Sequence, residues 1–248
     1  MTQQTIRTLN ALNQQFYLTV ADDFADSRQY FWEGWEQTLP HLGSEPLRVI
    51  DLGCGTGRFG VFLAEKKASS FHYVGIDNNQ TLLDKAQTAL QASSLSYELH
   101  FLDLVENLLT GTLNSVLNSV QPTTIVAFGV LHHIPSFALR QQFLRECAQA
   151  LPAGGELIVA AWQFLDSPRL TQRIVKPETL GIATSDLEEN DYILDWQRGP
   201  RAYRYCHQVT PDEMQALLAE LPLRVGHHFR ADGQPTPLNH YWLLESVI

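Results

Sequence analysis

A glycine-rich turn between two apolar segments constrains this chain more than any other stretch. Residues 51–57 read DLGCGTG, and they follow an apolar run over 47–50 that predicts a short buried strand. Apolar residues recur at helical spacing over 57–67. The pattern therefore predicts a strand, a tight turn and a helix. Because glycines lack a Cβ atom, a ligand can lie against the backbone there, beside the free N–H groups of the helix start.

An acidic residue at the end of the second predicted strand indicates which ligands fit this turn. Asp77 ends the apolar strand 72–77, and a carboxylate in that position can accept both hydroxyl groups of a ribose. Two ligand classes suit this arrangement, dinucleotides and S-adenosylmethionine. A pyrophosphate-binding turn favours the spacing G-x-G-x-x-G, whereas the glycines here stand at 53, 55 and 57.

The string DLGCGTG resembles the first motif of class I S-adenosylmethionine-dependent methyltransferases. The chain also resembles these enzymes at a second landmark, where a helix is followed by Pro-x-Gly-Gly at 152–155 and an apolar strand. The resemblance implies a methyltransferase that uses S-adenosyl-L-methionine as its cofactor. The residues that we expect to bind this cofactor are Arg28, Asp51, Gly53, Gly55, Gly57, Asp77, Asn78, Asp103, Leu104 and Gly129.

From residue 47 onward, predicted strands and helices alternate, which is typical of a parallel sheet with helices on both faces. We expect an α/β, Rossmann-like class I methyltransferase fold with a mostly parallel seven-stranded sheet and a C-terminal antiparallel strand. The expected strands are 47–52, 72–77, 97–102, 124–128, 156–162, 223–230 and 241–247, and the expected helices are 57–67, 80–91, 105–120, 137–151 and 211–220. With no internal repeat, residues 1–248 read as a single domain.

Composition excludes several classes of protein. The 248 residues contain three cysteines without paired or C-x-x-C spacing, so we expect neither a disulfide framework nor a metal site. No signal peptide or membrane-spanning run is visible, which favours a cytoplasmic protein without a membrane partner. The formal net charge of −10 argues against non-specific nucleic-acid binding, although it leaves room for a local basic patch.

The N-terminal segment, residues 1–46, reads as helical over 3–40 and is rich in aromatic residues. We predict that it forms a lid over the cofactor. Arg28 stands among the three aspartates at 22, 23 and 26. It either forms a surface salt bridge or binds a carboxylate, that of the methionine part of the cofactor or that of the substrate.

Two predicted strand ends supply further polar groups, because ligands bind beyond the carboxyl ends of strands in such folds. Asp103 and Leu104 follow the third strand, where Asp103 either accepts from the adenine amine or caps a helix. His132 and His133 follow the fourth strand and suit proton transfer or substrate contact. Since adjacent histidines cannot both face one way, we expect at most one to be functional, and His132 is the candidate.

Residues 163–209 break the alternation of strands and helices. An acidic run over 186–195 precedes arginines at 198, 201 and 204, with tyrosines and Trp196 between them. Because no regular period persists, we expect a loop-rich insertion that caps the substrate end of the cleft. The alternative is a surface hairpin with solvated charges.

Taken in order, the chain also resembles a narrower family, the tRNA wobble-uridine carboxymethyl methyltransferases. The strings that carry this likeness are DLGCGTGRF at 51–59, GVLHHI at 129–134, DYILDW at 191–196 and RYCH at 204–207, with Arg28 and Trp32 near the start. Cys206 stands where that family has an aromatic residue, and Asp195 stands where it tends to have a proline. The resemblance implies a tRNA anticodon loop as substrate and a small activator subunit as a further partner.

Esterification of a carboxymethyl group would need no general base, because the carboxylate is already ionised at neutral pH. Arginine matches a carboxylate with two hydrogen bonds, so Arg204, and next to it Arg28, are the residues that we expect to hold the acceptor. A hydroxyl acceptor would instead require a base, which points to His132 or His133. A small-molecule methyltransferase is therefore the alternative function, and a non-catalytic cofactor-binding protein is a third.

Overall fold

Ten strands form two sheets in the computed structural model, which describes residues 1–28, 30–43, 45–67, 71–93 and 95–248. The strands are β1 (Arg48–Leu52), β2 (His72–Asp77), β3 (Ser96–Phe101), β4 (Thr124–Phe128), β5 (Glu156–Trp162), β6 (Ile174–Val175), β7 (Asp191–Trp196), β8 (Ala202–His207), β9 (Leu223–Ala231) and β10 (Asn239–Ser246). Seven of them form the main sheet, in the order β3-β2-β1-β4-β5-β10-β9. Its first five strands are parallel and the closing pair is antiparallel, which confirms the predicted class I methyltransferase fold.

The helices cover both faces of this sheet. They are α1 (Gln3–Asp26), α2 (Glu33–Thr38), α3 (Arg58–Lys66), α4 (Gln80–Gln91), α5 (Leu104–Thr110), α6 (Leu113–Val120), α7 (Phe137–Ala150), α8 (Pro168–Thr171) and α9 (Pro211–Leu218). Successive side chains of β1 point to opposite faces, so Val49 packs in one apolar core and Ile50 in the other. Among the described residues, no helix has both the length and the apolarity needed to cross a membrane.

One predicted helix is two helices. The segment 105–120 was expected to be continuous, but α5 ends at Thr110 and α6 begins at Leu113. Gly111 adopts a left-handed φ of 70° at the end of α5 and donates its N–H to the last turn. A glycine in this conformation is a common helix terminator, and the apolar periodicity on both sides hid it.

The N-terminal helices pack against the second sheet and the edge of the main one. Thr2 caps α1 by accepting the Thr5 N–H, and the buried face of α1 includes Leu9 and Phe16. This face lies against β8, α4 and α5. The predicted helical character of 3–40 is therefore confirmed, with a break between α1 and α2.

The insert, residues 163–209, is more regular than the sequence indicated. Strands β6, β7 and β8 form a three-stranded antiparallel sheet in that order. Its apolar residues do not alternate strictly, since Ile193 packs toward α1 while Leu194 and Cys206 pack toward Phe164. Burial on both faces removes the polar–apolar alternation by which strands are recognised, so the loop-rich interpretation was wrong.

A buried charge network attaches the insert to the helices below it. Arg140 on α7 is 1% exposed and pairs with Glu188 at 3.3 Å and Glu213 at 2.8 Å. His207 on β8 lies between Asp191 at 2.7 Å and Glu213 at 2.6 Å. Burial alone would lower the pKa of His207, but its hydrogen bonds to the two carboxylates raise it above the usual value. A positively charged His207 therefore stabilises the attachment.

This network makes stability depend on pH. Because the pKa of His207 is raised on folding, its contribution is complete below the unfolded value of about 6.5 and is lost as the pH rises through the folded value. We expect His207→Gln to lower the free energy of unfolding by about 3 kcal/mol at pH 6 and by less at higher pH. Urea denaturation at several pH values measures this difference. The exposed His100→Gln is the matched control, and a loss that does not shrink as the pH rises would contradict the assignment.

Candidate active site

One cavity of about 450 Å³ runs along the carboxyl ends of β1, β2, β4 and β5 and continues under the insert. This volume is ordinary for a small-molecule or cofactor site. Aspartates lie at the end near β1 and β2, whereas the lining contributed by the insert is cationic. The charged residues that line it are Arg28, Asp51, Arg58, Asp77, Asp103, Arg169, Arg173, Arg198, Arg204 and Asp232.

The glycine turn forms one wall of the cavity. Gly53, Gly55 and Gly57 have left-handed φ angles of 72°, 55° and 70°. A Cβ atom on Gly55 would meet nothing within 4 Å, so it would project into open space. Gly57 was predicted to bind the cofactor, but it does not line the cavity. A Cβ there would lie 3.1 Å from Ala86, and Gly57 instead allows α3 to pack on α4.

The carboxylate of Asp77 is held by backbone N–H groups at the end of β2. Gly55 donates to Oδ2 at 2.8 Å and Asn79 donates to Oδ1 at 2.9 Å. Burial raises the pKa of Asp77 to about 6 despite these hydrogen bonds. The carboxylate, with four lone pairs in all, keeps the capacity to accept a ribose hydroxyl group, and Asn78 lines the cavity next to it.

Asp51 lies deeper, where β1 meets the turn. It is 3% exposed and accepts the Tyr73 hydroxyl group at 2.6 Å. Burial raises the pKa of Asp51 to about 7, and the nearby Asp77 adds to this effect. Asp51 therefore anchors the turn from within the core as well as lining the cavity.

Asp103 lies where the adenine was predicted, but its carboxylate is already occupied. Oδ1 caps α5 by accepting the Glu106 N–H at 3.0 Å. Oδ2 accepts the Asn10 amide at 2.8 Å and also the Gln14 amide. Helix capping, one of the two predicted roles, is thus present. The amides of Asn10 and Gln14 donate to the oxygen that was predicted to accept from the adenine amine.

The residues of this end fit S-adenosylmethionine. The turn leaves open space beside Gly55. Asp77 lies 22 residues further along the chain, but its carboxylate accepts the Gly55 N–H and therefore borders the same space. Apolar Leu102, Leu104 and Val105 line the same region and can contact an adenine ring. Gly129 follows β4 with a left-handed φ of 80°. A Cβ atom there would lie 3.6 Å from the Trp32 ring, so the backbone passes close to this side chain.

Arg28 faces the cavity and forms no ion pair with another described residue. Its guanidinium carbon lies 3.6 Å from the Phe24 ring centroid, and it donates to Ser27 Oγ at 2.9 Å. Burial lowers the pKa of Arg28 to about 9, and the charges of Arg204, Arg58 and Arg198 add to this. The predicted surface salt bridge is therefore absent from the described residues, and an anion in the cavity would stabilise the charge of Arg28.

Arg204 is the most buried cation of the cavity. It is 8% exposed, and its guanidinium carbon lies 4.5 Å from the Trp162 ring and 5.0 Å from the Phe16 ring. Within the described residues it has neither a carboxylate partner nor a hydrogen-bond acceptor. A guanidinium removed from water without an acceptor is costly, so this position favours an anionic ligand.

Both histidines after β4 face the cavity, contrary to the expectation that only one would. The 3₁₀ turn Leu131–His133 brings their ring centroids within 4.3 Å. His132 Nδ1 accepts the Trp162 N–H at 3.2 Å. His133 Nδ1 donates to the Tyr205 carbonyl group at 2.9 Å, and its Nε2 lies 3.0 Å from the Tyr17 hydroxyl group.

Burial lowers the pKa of both histidines, that of His133 to about 3 and that of His132 well below its usual value. Both rings are therefore neutral near pH 7. A neutral His132 that accepts at Nδ1 carries its proton on Nε2, and His133 has both nitrogens engaged. Neither ring offers a free lone pair to act as a base.

His132, His133 and Cys206 come close enough to be considered as metal ligands, with their ligand atoms within 4.8 Å of one another. However, the His133 nitrogens already have partners, and burial raises the pKa of Cys206 to about 12. A thiolate is the form that binds a metal ion. These contacts favour a hydrogen-bonded cluster.

Several lining residues were not singled out by sequence reasoning. Tyr17 and Trp162 are separated by about 145 positions from each other, and only the fold brings them to the histidines. Asp232 accepts from Gly34 at 2.9 Å and from Tyr241 at 2.5 Å, closing the cavity near β9. A polar residue at the end of β9 was the available signal for Asp232. No local signal marks Trp162, which continues an apolar strand.

Comparisons with known proteins agree with this geometry. Residues 50–157 match a family model described as a methyltransferase domain. The human protein named probable tRNA methyltransferase 9B is 23% identical over 200 residues, which cover 81% of this chain and 35% of that protein. Across three of the curated relatives that it matches, the chain spans 35 to 47% of their length.

A second relative and a solved structure extend the likeness. The ubiquinone biosynthesis O-methyltransferase of Rhizobium etli is 30% identical over 206 residues, which cover 81% of this chain and 68% of that enzyme. The crystal structure of an S-adenosylmethionine-dependent methyltransferase from Anabaena variabilis superposes with a TM-score of 0.61 at 16% identity. The superposition covers 94% of this chain and 93% of the Anabaena variabilis chain.

The open space beside Gly55 allows a direct test of the cofactor site. We expect Gly55→Ala to weaken S-adenosylhomocysteine binding at least tenfold, about 1.4 kcal/mol, because the new Cβ would occupy the ligand's place. Titration calorimetry measures the affinity. Gly154→Ala is the matched control, since Gly154 has a similar φ of 74° and also has nothing within 4 Å. Equal affinities in the two variants would contradict the placement.

The sheet order, the glycine turn with its opposing Asp77 and the likeness to the Rhizobium etli enzyme support the same conclusion. This chain contains a methyltransferase domain whose cofactor is S-adenosylmethionine. The chain belongs to the class I S-adenosylmethionine-dependent methyltransferases.

Proposed function

We propose that this methyltransferase esterifies a carboxylate, and that its acceptor is the carboxymethyl group of a wobble uridine in a tRNA anticodon loop. The observation that carries this proposal is Arg204, a buried guanidinium that faces the cavity without an acceptor. An arginine binds a carboxylate through two parallel hydrogen bonds, which fixes both its position and its orientation. An acceptor carboxylate would supply the partner that none of the described residues provides.

A second unsatisfied donor lies near the same site. The Trp196 indole N–H is buried and has no hydrogen-bond partner among the described residues. Its ring packs edge-on against Phe16 at 5.6 Å, and Phe16 in turn lies against Arg204. Two donors without acceptors at one end of the cavity favour a ligand that is rich in acceptor atoms.

The reaction needs no base at the acceptor. A bound cofactor would supply a methyl group activated on a sulfonium, and a carboxylate acceptor would receive this group without releasing a proton. The two histidines are consistent with such chemistry, because both are neutral and neither has a free lone pair. The Nε2–H group of His132 is a donor that can orient an acceptor oxygen.

The remaining residues have positioning roles in this proposal. Arg28, which has no carboxylate partner among the described residues, would bind the carboxylate of the methionine moiety. Asp77 would hold the ribose. Trp162 and Trp196 offer rings on which a base displaced from an RNA loop can stack. Positioning of this kind is the main contribution that a protein can make to a displacement that requires no proton transfer.

Similarity to relatives supports tRNA as the class of acceptor. The human relative is named as a probable tRNA methyltransferase. The four strings that resemble the wobble-uridine family fall on the cavity wall or on the insert. Arg204 and Trp196, which belong to two of these strings, are the cavity residues described above.

The second candidate is a small-molecule O-methyltransferase. The Rhizobium etli relative is named for ubiquinone biosynthesis, and a net charge of −10 suits a small acceptor better than RNA. Transfer to a hydroxyl group would, however, need a base near the methyl group. Neither His132 nor His133 has a free lone pair for this role, which makes this candidate the second choice.

The test uses labelled S-adenosylmethionine and tRNA that contains unesterified carboxymethyluridine. We expect label in the tRNA that mild alkali releases, as it does from a methyl ester. Arg204→Lys, which keeps the charge but loses the fork, should lower kcat/KM about 100-fold, or about 2.7 kcal/mol, and leave cofactor affinity unchanged.

Arg201→Lys is the matched control, because Arg201 is three residues away and its side chain is 73% exposed. Alkali-stable label would show transfer to a different group and would contradict the proposal. Absence of label in tRNA, with cofactor binding intact, would favour the small-molecule candidate. An Arg204→Lys enzyme with full turnover would remove the role of Arg204.

A further inference from the structure

Arginines are concentrated around one cavity in a protein that is acidic overall. Six of the chain's 13 arginines line it, and no lysine does, although the net charge is −10. Two of the six, Arg28 and Arg204, are accounted for by the proposed carboxylates. Arg58 donates to the Tyr30 carbonyl group at 2.5 Å and lies near the rings of Trp32 and Trp35. Three arginines on the insert remain.

These three, Arg169, Arg173 and Arg198, form what we call the arginine arc. Arg169 lies on α8, Arg173 directly precedes β6, and Arg198 follows β7. The Asp195 N–H donates to the Arg173 carbonyl group at 2.8 Å, which brings the start of β6 beside the end of β7. The small sheet therefore brings Arg173 and Arg198 to one of its ends, and all three arginines line the cavity together with Arg204.

Among the described residues, no carboxylate lies within ion-pairing distance of the arc. None of its three guanidinium groups forms an ion pair or a hydrogen bond with another described residue. Burial and the charges of Arg169, Arg198 and Arg204 lower the pKa of Arg173, and the nearby Asp195 carboxylate offsets part of this effect. Two carboxylates are nearby: Asp195, whose Oδ1 lies 4.0 Å from Arg201, and Asp23, which lies against Gly199. Like charges held together in this way favour a multivalent anion.

We propose that the arginine arc is a phosphate subsite, which binds the RNA backbone beside the nucleotide whose base enters the cavity. This inference rests on the proposed function, since it adds the backbone contacts of the same acceptor. A nucleotide within an RNA strand carries a phosphodiester on each side of its sugar. The arc lines the same cavity as Arg204 and belongs to the same insert, and Arg169 and Arg198 are exposed whereas Arg204 is buried.

An RNA strand explains features that a small acceptor does not. A small carboxylate would be satisfied by Arg204 and the donors around it, and the arc would remain unpaired. Phosphate contacts by arginine position a nucleic acid without reading its sequence. A confined patch also reconciles RNA binding with the acidic composition, because only the local field near the backbone must be positive.

The experiment measures binding of a fluorophore-labelled, seven-nucleotide single-stranded RNA by anisotropy at several salt concentrations. Each lost phosphate contact should lower the slope of log affinity against log salt by about 0.7, so Arg169→Gln, Arg173→Gln and Arg198→Gln together should lower it by about 2. The matched control changes three exposed arginines outside the cavity, Arg7, Arg145 and Arg224, to Gln. This control alters net charge by the same amount and should keep the wild-type slope.

A slope that is unchanged by the arc substitutions, or lowered equally by the control, would overturn the subsite. The same is true if the wild-type protein binds the RNA no better than the arc variant does. Failure of the proposed function is distinguishable, because it is detected by alkali-stable or absent label in tRNA. A protein that binds RNA through the arc but methylates another group would fail that assay and keep the salt dependence expected here.

Discussion

The hydrogen bond from the Gly55 N–H to the Asp77 carboxylate connects the ends of two neighbouring parallel strands. It depends on the left-handed conformation of the glycine turn, because only that path aims the N–H toward β2. The Gly53 and Cys54 N–H groups reinforce the junction by donating to the Ile76 carbonyl group at 2.8 and 3.0 Å. The chain then enters α3 at Arg58, and the remaining strand ends surround the space left open beside Gly55.

Charge is separated along the cavity that this junction begins. Asp51, Asp77 and Asp103 lie at the cofactor end, and each already accepts a donor from the protein. At the insert end, Arg204 and the arginine arc have no such partners among the described residues. Aspartates suit ribose hydroxyl groups and an adenine amine, whereas free guanidinium groups suit anions. The charges at the cofactor end therefore have partners within the protein, whereas the arginines at the insert end do not. This difference is the basis for proposing an anionic acceptor.

The sequence allowed the parallel core to be predicted almost strand by strand, because β1, β2, β4 and β5 are apolar runs with clear turns between them. The position of Asp77 at the end of β2 followed from the same pattern. The insert was less predictable, since its strands are buried on both sides by α1 and by the Phe164 cluster. Their alternation is lost, and the loop-rich interpretation followed from that loss.

Individual site residues show the same limit. Gly57 belongs to the motif, but its role in helix packing depends on Ala86, nearly thirty residues away. The amides of Asn10 and Gln14 reach Asp103 only because α1 crosses the cavity. The histidine pair was located correctly, whereas the contacts that occupy its lone pairs come from Trp162, Tyr17 and Tyr205. Long-range contacts of this kind have no local signature in a single sequence.

The central claim is that Arg204 binds an acceptor carboxylate, and ligand discrimination tests it most directly. Titration calorimetry with S-adenosylhomocysteine present would compare 5-carboxymethyluridine with its methyl ester. The account predicts that the acid binds at least tenfold more tightly, about 1.4 kcal/mol, and that Arg204→Gln abolishes the difference. Equal affinity for acid and ester, or a preference that persists in Arg204→Gln, would contradict it.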